Sequence, residues 1–152
     1  MEILKMKATA TFLLLCAASG IADTAASAGS VGDIQSMGTV RSKFEAFNKH
    51  DAEAIEKIYA SGATLHSPDY PDLVGNKQIA DTYRGLFDAI PDAKDNIEVL
   101  ETSSSHVYAQ FVLTGHMKGA QDRPISVRII SVYAVKDDHI VDDATYYDRK
   151  MP

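Results

Sequence analysis

The chain has 152 residues, a net charge of −6 and a hydrophobic fraction of 45%, which suits a single domain with its own core. A mildly acidic chain without a basic run lacks the positive surface that nucleic acids and anionic membranes require. Neither is therefore expected as a partner.

The first part of the chain has the order of a secretory signal peptide. Lys5 and Lys7 precede the apolar stretch 8–18, and small residues continue to an Ala-Ser-Ala sequence that ends at Ala28. We expect residues 1–28 to be cleaved and the mature protein to be exported, either to a periplasm or to the medium. Cleavage would leave the net charge unchanged, because two basic and two acidic residues are removed.

Cys16 is the only cysteine, and it lies within the predicted signal. The mature chain would then have no disulfide, thiol nucleophile or thiolate metal site. Two alternatives remain open. An uncleaved membrane anchor would be interrupted by Asp23, and about 20 apolar residues are needed to span a bilayer. A lipoprotein modified at Cys16 would have Leu15 where a small residue is expected.

The mature chain is predicted to begin with a short leader, 29–32, followed by one domain over 33–150. Apolar residues recur every three or four positions up to Phe47, which predicts a first helix over about 33–48. Asp33 is its predicted N-cap.

A second helix is expected to start after Asp51 and to end near Gly62, which would supply a C-terminal cap. A short strand is predicted over 63–67. The two prolines of 68–72 predict a loop there.

A third helix is expected from an N-cap at Asn76 to a point before Pro91. From there the apolar period changes to two, which predicts strands joined by hairpin turns. The predicted strands lie at 97–101, 107–114, 125–135 and 139–148. Helices followed by an antiparallel meander define an α+β fold.

Several short strings, in this order, resemble the SnoaL-like polyketide cyclases of the nuclear-transport-factor-2-like, or ketosteroid-isomerase-like, superfamily. The strings are FEAFNKHD at 44–51, IYA at 58–60, HSP at 66–68, Gly75, IPD at 90–92, Gly115-His116 with Gly119, and DHIV at 138–141 with Tyr147-Asp148. The resemblance covers nearly all of 33–150. It implies a cone-shaped fold, with three N-terminal helices on a strongly curved antiparallel sheet around an apolar pocket.

The resemblance also implies a cofactor-free cyclase or isomerase that acts on a small apolar carbonyl compound. In such an enzyme a carboxyl group in an apolar pocket removes a proton next to a carbonyl group. The match to the family's closing strand makes Asp148 the first candidate for this acid/base role and Asp143 the second. Strand alternation places these two on opposite faces, and only one face can line the pocket.

His66 and His116 match positions near the pocket mouth in the family, and either could donate a hydrogen bond or shuttle a proton. Further polar and aromatic residues are candidates for substrate binding: Tyr59, Tyr70, Tyr83, Phe87, Gln110, Arg128 and Tyr146. A buried Arg128 would require an acidic partner such as Asp143 or Asp148. An arrangement of both aspartates with Arg128 would instead resemble the epoxide hydrolases of this superfamily, and a dehydratase is a further alternative. No metal site is predicted.

A different class of function is also open. The domain could bind a small apolar ligand without turning it over, or it could pair with a second copy through its sheet, so a homodimer is expected. A buried aspartate with a raised pKa in the pocket would favour the enzyme. An entirely apolar pocket would favour binding alone.

Overall fold

A computed structural model of the protein describes residues 30–119 and 123–147, and the predicted signal peptide lies outside these ranges. The described residues form three helices and six strands. In chain order they are α1 (Val31–Asn48), α2 (Ala52–Ile58), β1 (Tyr59–Ser67), β2 (Tyr70–Val74), α3 (Asn76–Ala89), β3 (Lys94–Ser103), β4 (His106–Met117), β5 (Arg123–Lys136) and β6 (His139–Tyr147).

Helix α1 begins slightly earlier than predicted. Ser30 is the N-cap, and Asp33 is the third helical residue rather than the cap. The Ser30 hydroxyl accepts from the backbone N–H of Asp33, and the Asp33 carboxylate accepts from the backbone N–H of Ser30. This reciprocal pair is a capping box. Part of the predicted leader is therefore helical.

The corner between α1 and α2 is built by His50 and Asp51. His50 has a positive φ of 56°, and the Nε2 atom of its ring is hydrogen-bonded to the carbonyl oxygen of Ala93 at 2.9 Å. Asp51 caps α2 by accepting from the N–H of Ala54 at 2.9 Å, as predicted.

The predicted end of α2 at Gly62 is wrong. The helix stops at Ile58, because Tyr59 takes an extended conformation and pairs with Ile140 of β6. Strand β1 therefore starts four residues earlier than expected, and Gly62 lies inside it.

The sheet order is β2-β1-β6-β5-β4-β3. The α+β class is confirmed, but three details of the prediction are wrong. The sheet is mixed, because β1 runs parallel to β6. It is not strongly curled. Helix α3 follows β1 and β2, so the helices are not all N-terminal.

Strand β2 occupies most of the segment that was predicted to be a loop. It contains Pro71, and it pairs only with β1 at one edge of the sheet. An edge strand tolerates proline, because one side of its backbone has no partner strand.

Helix α3 begins after Gly75, whose φ is 99°, and the predicted cap Asn76 is its first residue. The Asn76 amide instead donates to the carbonyl oxygen of Glu56 at 3.0 Å, which ties α3 to α2. After α3, the chain passes close to Gly115 of β4. A Cβ at Gly115 would lie 2.4 Å from Cγ2 of Ile90, so only glycine fits there without a shift.

The helices cover one face of the sheet, and the core lies between the two layers. Phe44 and Phe47 of α1 are buried against aromatic side chains of β4 and α3. The ring of Phe44 lies 4.8 Å from that of Phe111, and the ring of Phe47 lies 5.1 Å from that of Phe87. Edge-to-face contacts of this kind stabilise a core beyond the area that they bury.

Candidate active site

A cavity of about 320 Å³ lies between the helices and the inner face of the sheet. Its apolar wall comes from the end of α3 with its C-cap residue and from two neighbouring strands, β4 and β5. The wall residues are Leu86, Ile90, Phe111, Leu113, Met117, Ile125, Val127 and Ile129. Polar groups line the two ends. Lys43 and Asp95 are buried at the closed end, and Asp69, Tyr70 and Tyr147 lie at the more exposed end. This volume suits a small organic ligand.

Lys43 projects from the inner face of α1 and is only 2% exposed. Its ammonium lies between 4.4 and 6.0 Å from the centroids of five aromatic rings, namely those of Phe44, Phe47, Tyr83, Phe111 and Tyr133. The electron-rich faces of aromatic rings attract a cation. The rings thus offset part of the free-energy cost of burying the Lys43 charge.

The pKa of Lys43 reflects two opposing effects. Burial alone would lower it, but the negative charges that Tyr133, Tyr83, Asp95 and Asp143 carry when ionised raise it well above its usual value. Lys43 is therefore an ammonium at neutral pH, because its neutral form would leave the buried carboxylates without a counter-charge.

Asp95 lies near the start of β3 and is 4% exposed. Its carboxylate is 3.7 Å from the Nζ of Lys43. Burial raises the pKa of Asp95 to about 6, although the nearby Lys43 charge acts in the opposite direction. A carboxyl group with such a pKa can both accept and donate a proton near neutral pH.

Asn48 holds the backbone of Asp95 in place. Its amide donates to the carbonyl oxygen of Asp95 at 2.9 Å and accepts from the N–H of Asp95 at 2.8 Å. These two bonds join the last residue of α1 to β3. They fix the point at which the Asp95 side chain enters the cavity.

Asp143, on β6, is 1% exposed and lies behind the cavity. Its carboxylate accepts from the hydroxyl of Tyr59 at 2.6 Å and from the hydroxyl of Thr145 at 3.1 Å. Burial raises the pKa of Asp143, while Lys43 and these two hydrogen bonds oppose the rise. Asp143 itself is not among the side chains that line the cavity.

Three tyrosines surround this charged cluster, and all are neutral at neutral pH. Burial raises the pKa of Tyr83 to about 12 and raises that of Tyr59 and Tyr133 well above the usual value. The Tyr133 hydroxyl is buried without a hydrogen-bond partner among the described residues. Tyr83 lines the cavity.

The exposed end of the cavity is closed in part by a contact between β6 and the β1–β2 turn. The Tyr147 hydroxyl donates to the carboxylate of Asp69. Burial and this bond raise the pKa of Tyr147 to about 12. Tyr70 lies beside them and is partly exposed. The opening therefore has a polar rim around an apolar interior.

The three predicted catalytic residues that the structure describes, Asp143, His66 and His116, do not come together in one place. Asp148, the first candidate, lies outside the described residues. Asp143 faces the helices, but it is held behind the cavity by Tyr59 and Thr145.

The two candidate histidines contact carboxylates at the surface, away from the cavity lining. His66 lies between Asp72 and Asp142, at 2.8 and 3.2 Å, and its hydrogen bond to Asp72 raises its pKa despite slight burial. His116 binds Asp92 at 2.6 Å. The Asp92 carboxylate also accepts from the backbone N–H of His116 at 2.7 Å. These contacts tie together neighbouring backbone segments.

The predicted substrate-binding residues divide into three groups. Tyr70 and Tyr83 line the cavity. Tyr59 and Phe87 are buried near it and pack without lining it. Gln110, Arg128 and Tyr146 are exposed on the outer face of the sheet, because strand alternation turns them away from their buried neighbours.

The position of Arg128 bears on the acidic partner that a buried arginine would require. Its side chain is exposed on the outer face, whereas Asp143 is buried on the inner face. Arg128 is therefore not buried and does not pair with Asp143, and Asp148, the other possible partner, lies outside the described residues.

The sequence patterns did not identify Lys43 and Asp95 as candidate site residues. Lys43 occupies a position between Val40 and Phe47 on the apolar stripe of α1, at helical spacing from both. A charged residue on such a stripe is the signal that could have identified it. Asp95 was missed because the predicted strand started at Ile97, whereas β3 starts three residues earlier, at Lys94.

Within residues 30–119 and 123–147, no group of three or more histidine, cysteine, aspartate or glutamate side chains is placed to hold a metal ion. None of the helices in those ranges is long and apolar enough to cross a membrane.

Comparison with protein families gives one match, in which the model of the SnoaL-like domain matches residues 40–143. None of the curated proteins compared with the chain matches it. Many solved structures share the fold. A protein from Jannaschia sp. CCS1, named for the SnoaL-like polyketide cyclases, is 16% identical with a TM-score of 0.72, and the match covers 79% of this chain and 90% of that one.

Two other structures show how widely the fold is used. A Catenulispora acidiphila protein with a ketosteroid-isomerase-like fold, in complex with trimethylamine, is 21% identical with a TM-score of 0.68, covering 73% of this chain and 85% of that one. An epoxide hydrolase of LEH-like type from M. tuberculosis is 12% identical with a TM-score of 0.67, and the match covers 76% of this chain and 84% of that one. Such identities establish a shared fold and leave the reaction open.

Proposed function

Because the chain belongs to the SnoaL-like domain family, we propose that its cavity binds a small apolar carbonyl compound and catalyses proton transfer next to the carbonyl group. Asp95 is the acid/base, and Lys43 stabilises the negative charge that develops on the carbonyl oxygen. This would make the protein a cyclase or isomerase that needs no cofactor.

The observation that carries this proposal is the buried carboxyl group of Asp95 beside Lys43 at one end of a cavity whose wall is apolar. Its pKa of about 6, raised by burial, lies near the pH at which a general base works best. An aspartate with an ordinary pKa would be a weaker base for removing a proton from carbon. The apolar wall would hold the body of the substrate, and it would exclude water from the reacting carbon.

Lys43 supplies the second requirement, which is a fixed positive charge at the enolate oxygen. Its ammonium is 3.7 Å from the carboxylate of Asp95, so one substrate carbonyl group and its neighbouring carbon can contact both side chains. A charge that is already in place, and shielded from water, stabilises an oxyanion more strongly than solvent does. The Asp143 carboxylate helps to keep Lys43 protonated.

The experiment is proton exchange measured by NMR in deuterated water, with a panel of small ketones that first shows which of them bind. The wild type is expected to exchange hydrogens next to the carbonyl group, and Asp95→Asn to lose this activity. Asp88→Asn, at an exposed aspartate of α3, is the matched control. Asp148→Asn and Asp143→Asn test the two residues that the family resemblance indicated.

The outcomes separate the candidate functions. Binding of ketones without exchange in the wild type would contradict the enzyme and favour a binding module. Exchange that is lost in Asp148→Asn but kept in Asp95→Asn would move the acid/base role to β6.

The outer face of the sheet supports a homodimer as part of the same proposal. Val99, Ile130 and Tyr146 are exposed there, on a face that no described helix covers, and exposed apolar patches often mark protein interfaces. Sedimentation equilibrium should show a dimer that Ile130→Asp dissociates. Val31→Asp, at an exposed apolar residue of α1, is the control and should not change the mass.

Export is also part of the proposal, on the evidence of the signal-like residues 1–28. The intact mass of protein recovered outside the cytoplasm should correspond to a chain that begins at Gly29. A full-length mass would contradict cleavage.

A further inference from the structure

Lys43 and Asp95 are two buried charged groups that lack hydrogen bonds at the closed end of the cavity. They are 2% and 4% exposed, and both line the cavity. Their contact of 3.7 Å is longer than a hydrogen bond between charged groups, which is about 2.8 Å. In the part of the chain that the structure describes, no other residue is hydrogen-bonded to either charged group. Because buried polar groups are normally paired, this arrangement points to a ligand that pairs with both.

The two groups need opposite partners. The Lys43 ammonium can only donate hydrogen bonds, whereas an ionised carboxylate can only accept them. Asp95 is mainly ionised at neutral pH, since burial raises its pKa only to about 6. A ligand that pairs with both must therefore present an acceptor and a donor next to each other. A simple ketone offers the acceptor alone, and it would leave the buried carboxylate without a donor.

The charges around Lys43 restrict this end of the ligand to neutral groups. Asp95 of β3 and Asp143 of β6 both act on the single ammonium, and the tyrosines that surround it are neutral. An anionic ligand group would add a third negative charge beside one positive charge, which is unfavourable in a buried site. A carbonyl oxygen with a neighbouring hydroxyl group pairs with both residues and adds no charge.

We infer that the natural substrate is a neutral, apolar α-hydroxy ketone, whose carbonyl oxygen accepts from Lys43 and whose hydroxyl donates to Asp95. The inference rests on the proposed function and narrows the carbonyl compound to one with a hydroxyl group on the neighbouring carbon. The roles of Lys43 and Asp95 stay the same. A carboxylate has two oxygens, so one accepts from the hydroxyl while the other removes the proton from the same carbon.

This proton transfer balances with the groups already in the cavity. The C–H bond beside the carbonyl group breaks, and its proton forms an O–H bond with Asp95. The electron pair of that C–H bond forms a C=C bond, and the π electrons of the carbonyl group move to its oxygen, where Lys43 stabilises the negative charge. Return of the proton to carbon restores the hydroxy ketone, so no oxidant, reductant or second substrate is needed.

Three aromatic ketones of similar shape separate the effect of the hydroxyl from that of the carbonyl group. Phenacyl alcohol is the probe, acetophenone lacks the hydroxyl, and α-methoxyacetophenone keeps the oxygen but has no O–H to donate. Titration calorimetry at about pH 8, where Asp95 is ionised, should show that phenacyl alcohol binds at least about tenfold more tightly than either control. A hydrogen bond to a charged group has an effect of this size.

Three variants assign the preference to residues. Asp95→Leu removes both acceptor oxygens and should bring the three affinities together. Lys43→Met should weaken the binding of all three ketones, because each has the carbonyl group. Asp88→Asn, at an exposed position of α3, should leave every affinity unchanged. The three wild-type affinities are a complete test if Asp95→Leu does not fold.

The inference would be overturned if phenacyl alcohol failed to bind to the wild type, if either control bound to it as tightly, or if folded Asp95→Leu kept the preference. The proposed enzyme fails separately. Preferred binding of phenacyl alcohol without exchange of its α-hydrogens in deuterated water would keep the ligand class and remove the enzyme. Exchange in ketones that bind without any preference for the hydroxyl would keep the enzyme and remove this inference.

Discussion

The raised pKa of Asp95 predicts an unusual dependence of stability on pH, which Asp95→Asn should remove. The folded protein holds a proton on Asp95 up to about pH 6, whereas the reference value for aspartate is 3.8. Between these two values the native state binds more protons than the unfolded state. The free energy of unfolding therefore falls as pH rises through this window.

The size of the effect follows from the shift. At about 1.4 kcal/mol per pKa unit, the rise from 3.8 to about 6 corresponds to roughly 3 kcal/mol. Between about pH 3 and pH 7, the free energy of unfolding of the wild type should fall by this amount relative to that of Asp95→Asn. The comparison cancels the contributions of the other titrating groups where the substitution leaves them unchanged.

Urea denaturation of both proteins across this pH range measures the difference directly. Glu101→Gln is the matched control, because its side chain is exposed on the same strand, and its difference from wild type should stay nearly constant. Parallel curves for wild type and Asp95→Asn would refute the reasoning, since they would mean that burial does not alter the ionisation of Asp95.

Three further changes test other parts of the structure by urea denaturation. Gly115→Ala should destabilise the protein by about 1–3 kcal/mol, because the added carbon would lie 2.4 Å from Cγ2 of Ile90. The control is Gly85→Ala in α3, where an added Cβ would meet open space, so this change should not destabilise the protein. Equal losses in the free energy of unfolding for the two variants would contradict the steric argument. Asp51→Ala should lower the free energy of unfolding by about 1 kcal/mol, because it removes the N-cap of α2. An unchanged free energy of unfolding would contradict this role of Asp51. Tyr59→Phe should lower the free energy of unfolding by about 1–3 kcal/mol, because it removes a hydrogen-bond donor to the buried Asp143 carboxylate. The loss should appear as a lower urea midpoint.

The elements with strong periodicity were predictable from the sequence. The stripe that ends at Phe47 defines α1, and the alternation from Val107 onward defines β4. In these segments local preference and burial agree, so a single pattern is sufficient.

The errors lie where a contact distant in sequence decides the local structure. Tyr59 leaves the helix because its hydroxyl reaches Asp143 and its backbone pairs with Ile140. Pro71 is accepted in a strand because that strand is at an edge. Neither partner can be read from the neighbouring residues.

The candidate site shows the same limit more strongly. Lys43 comes from α1 and Asp95 from β3, and their separation of 3.7 Å exists only after the layers have packed. The family resemblance directed attention to the last strand, where the matching aspartates are. The structure instead places a buried, cavity-lining carboxyl group, that of Asp95, on β3. The Lys43 ammonium beside it lies on the apolar stripe of α1, where the sequence pattern predicts a core side chain.

The most direct test of the proposed site is the ionisation of Asp95 itself, followed by carbon-13 NMR of the labelled carboxyl group as the pH is varied. We predict a midpoint near pH 6 in wild type, and a resonance that is absent in Asp95→Asn. A midpoint at the ordinary aspartate value of about 4 would contradict the account, because burial would then leave the ionisation of Asp95 unchanged, and the raised pKa on which the proposal rests would be absent.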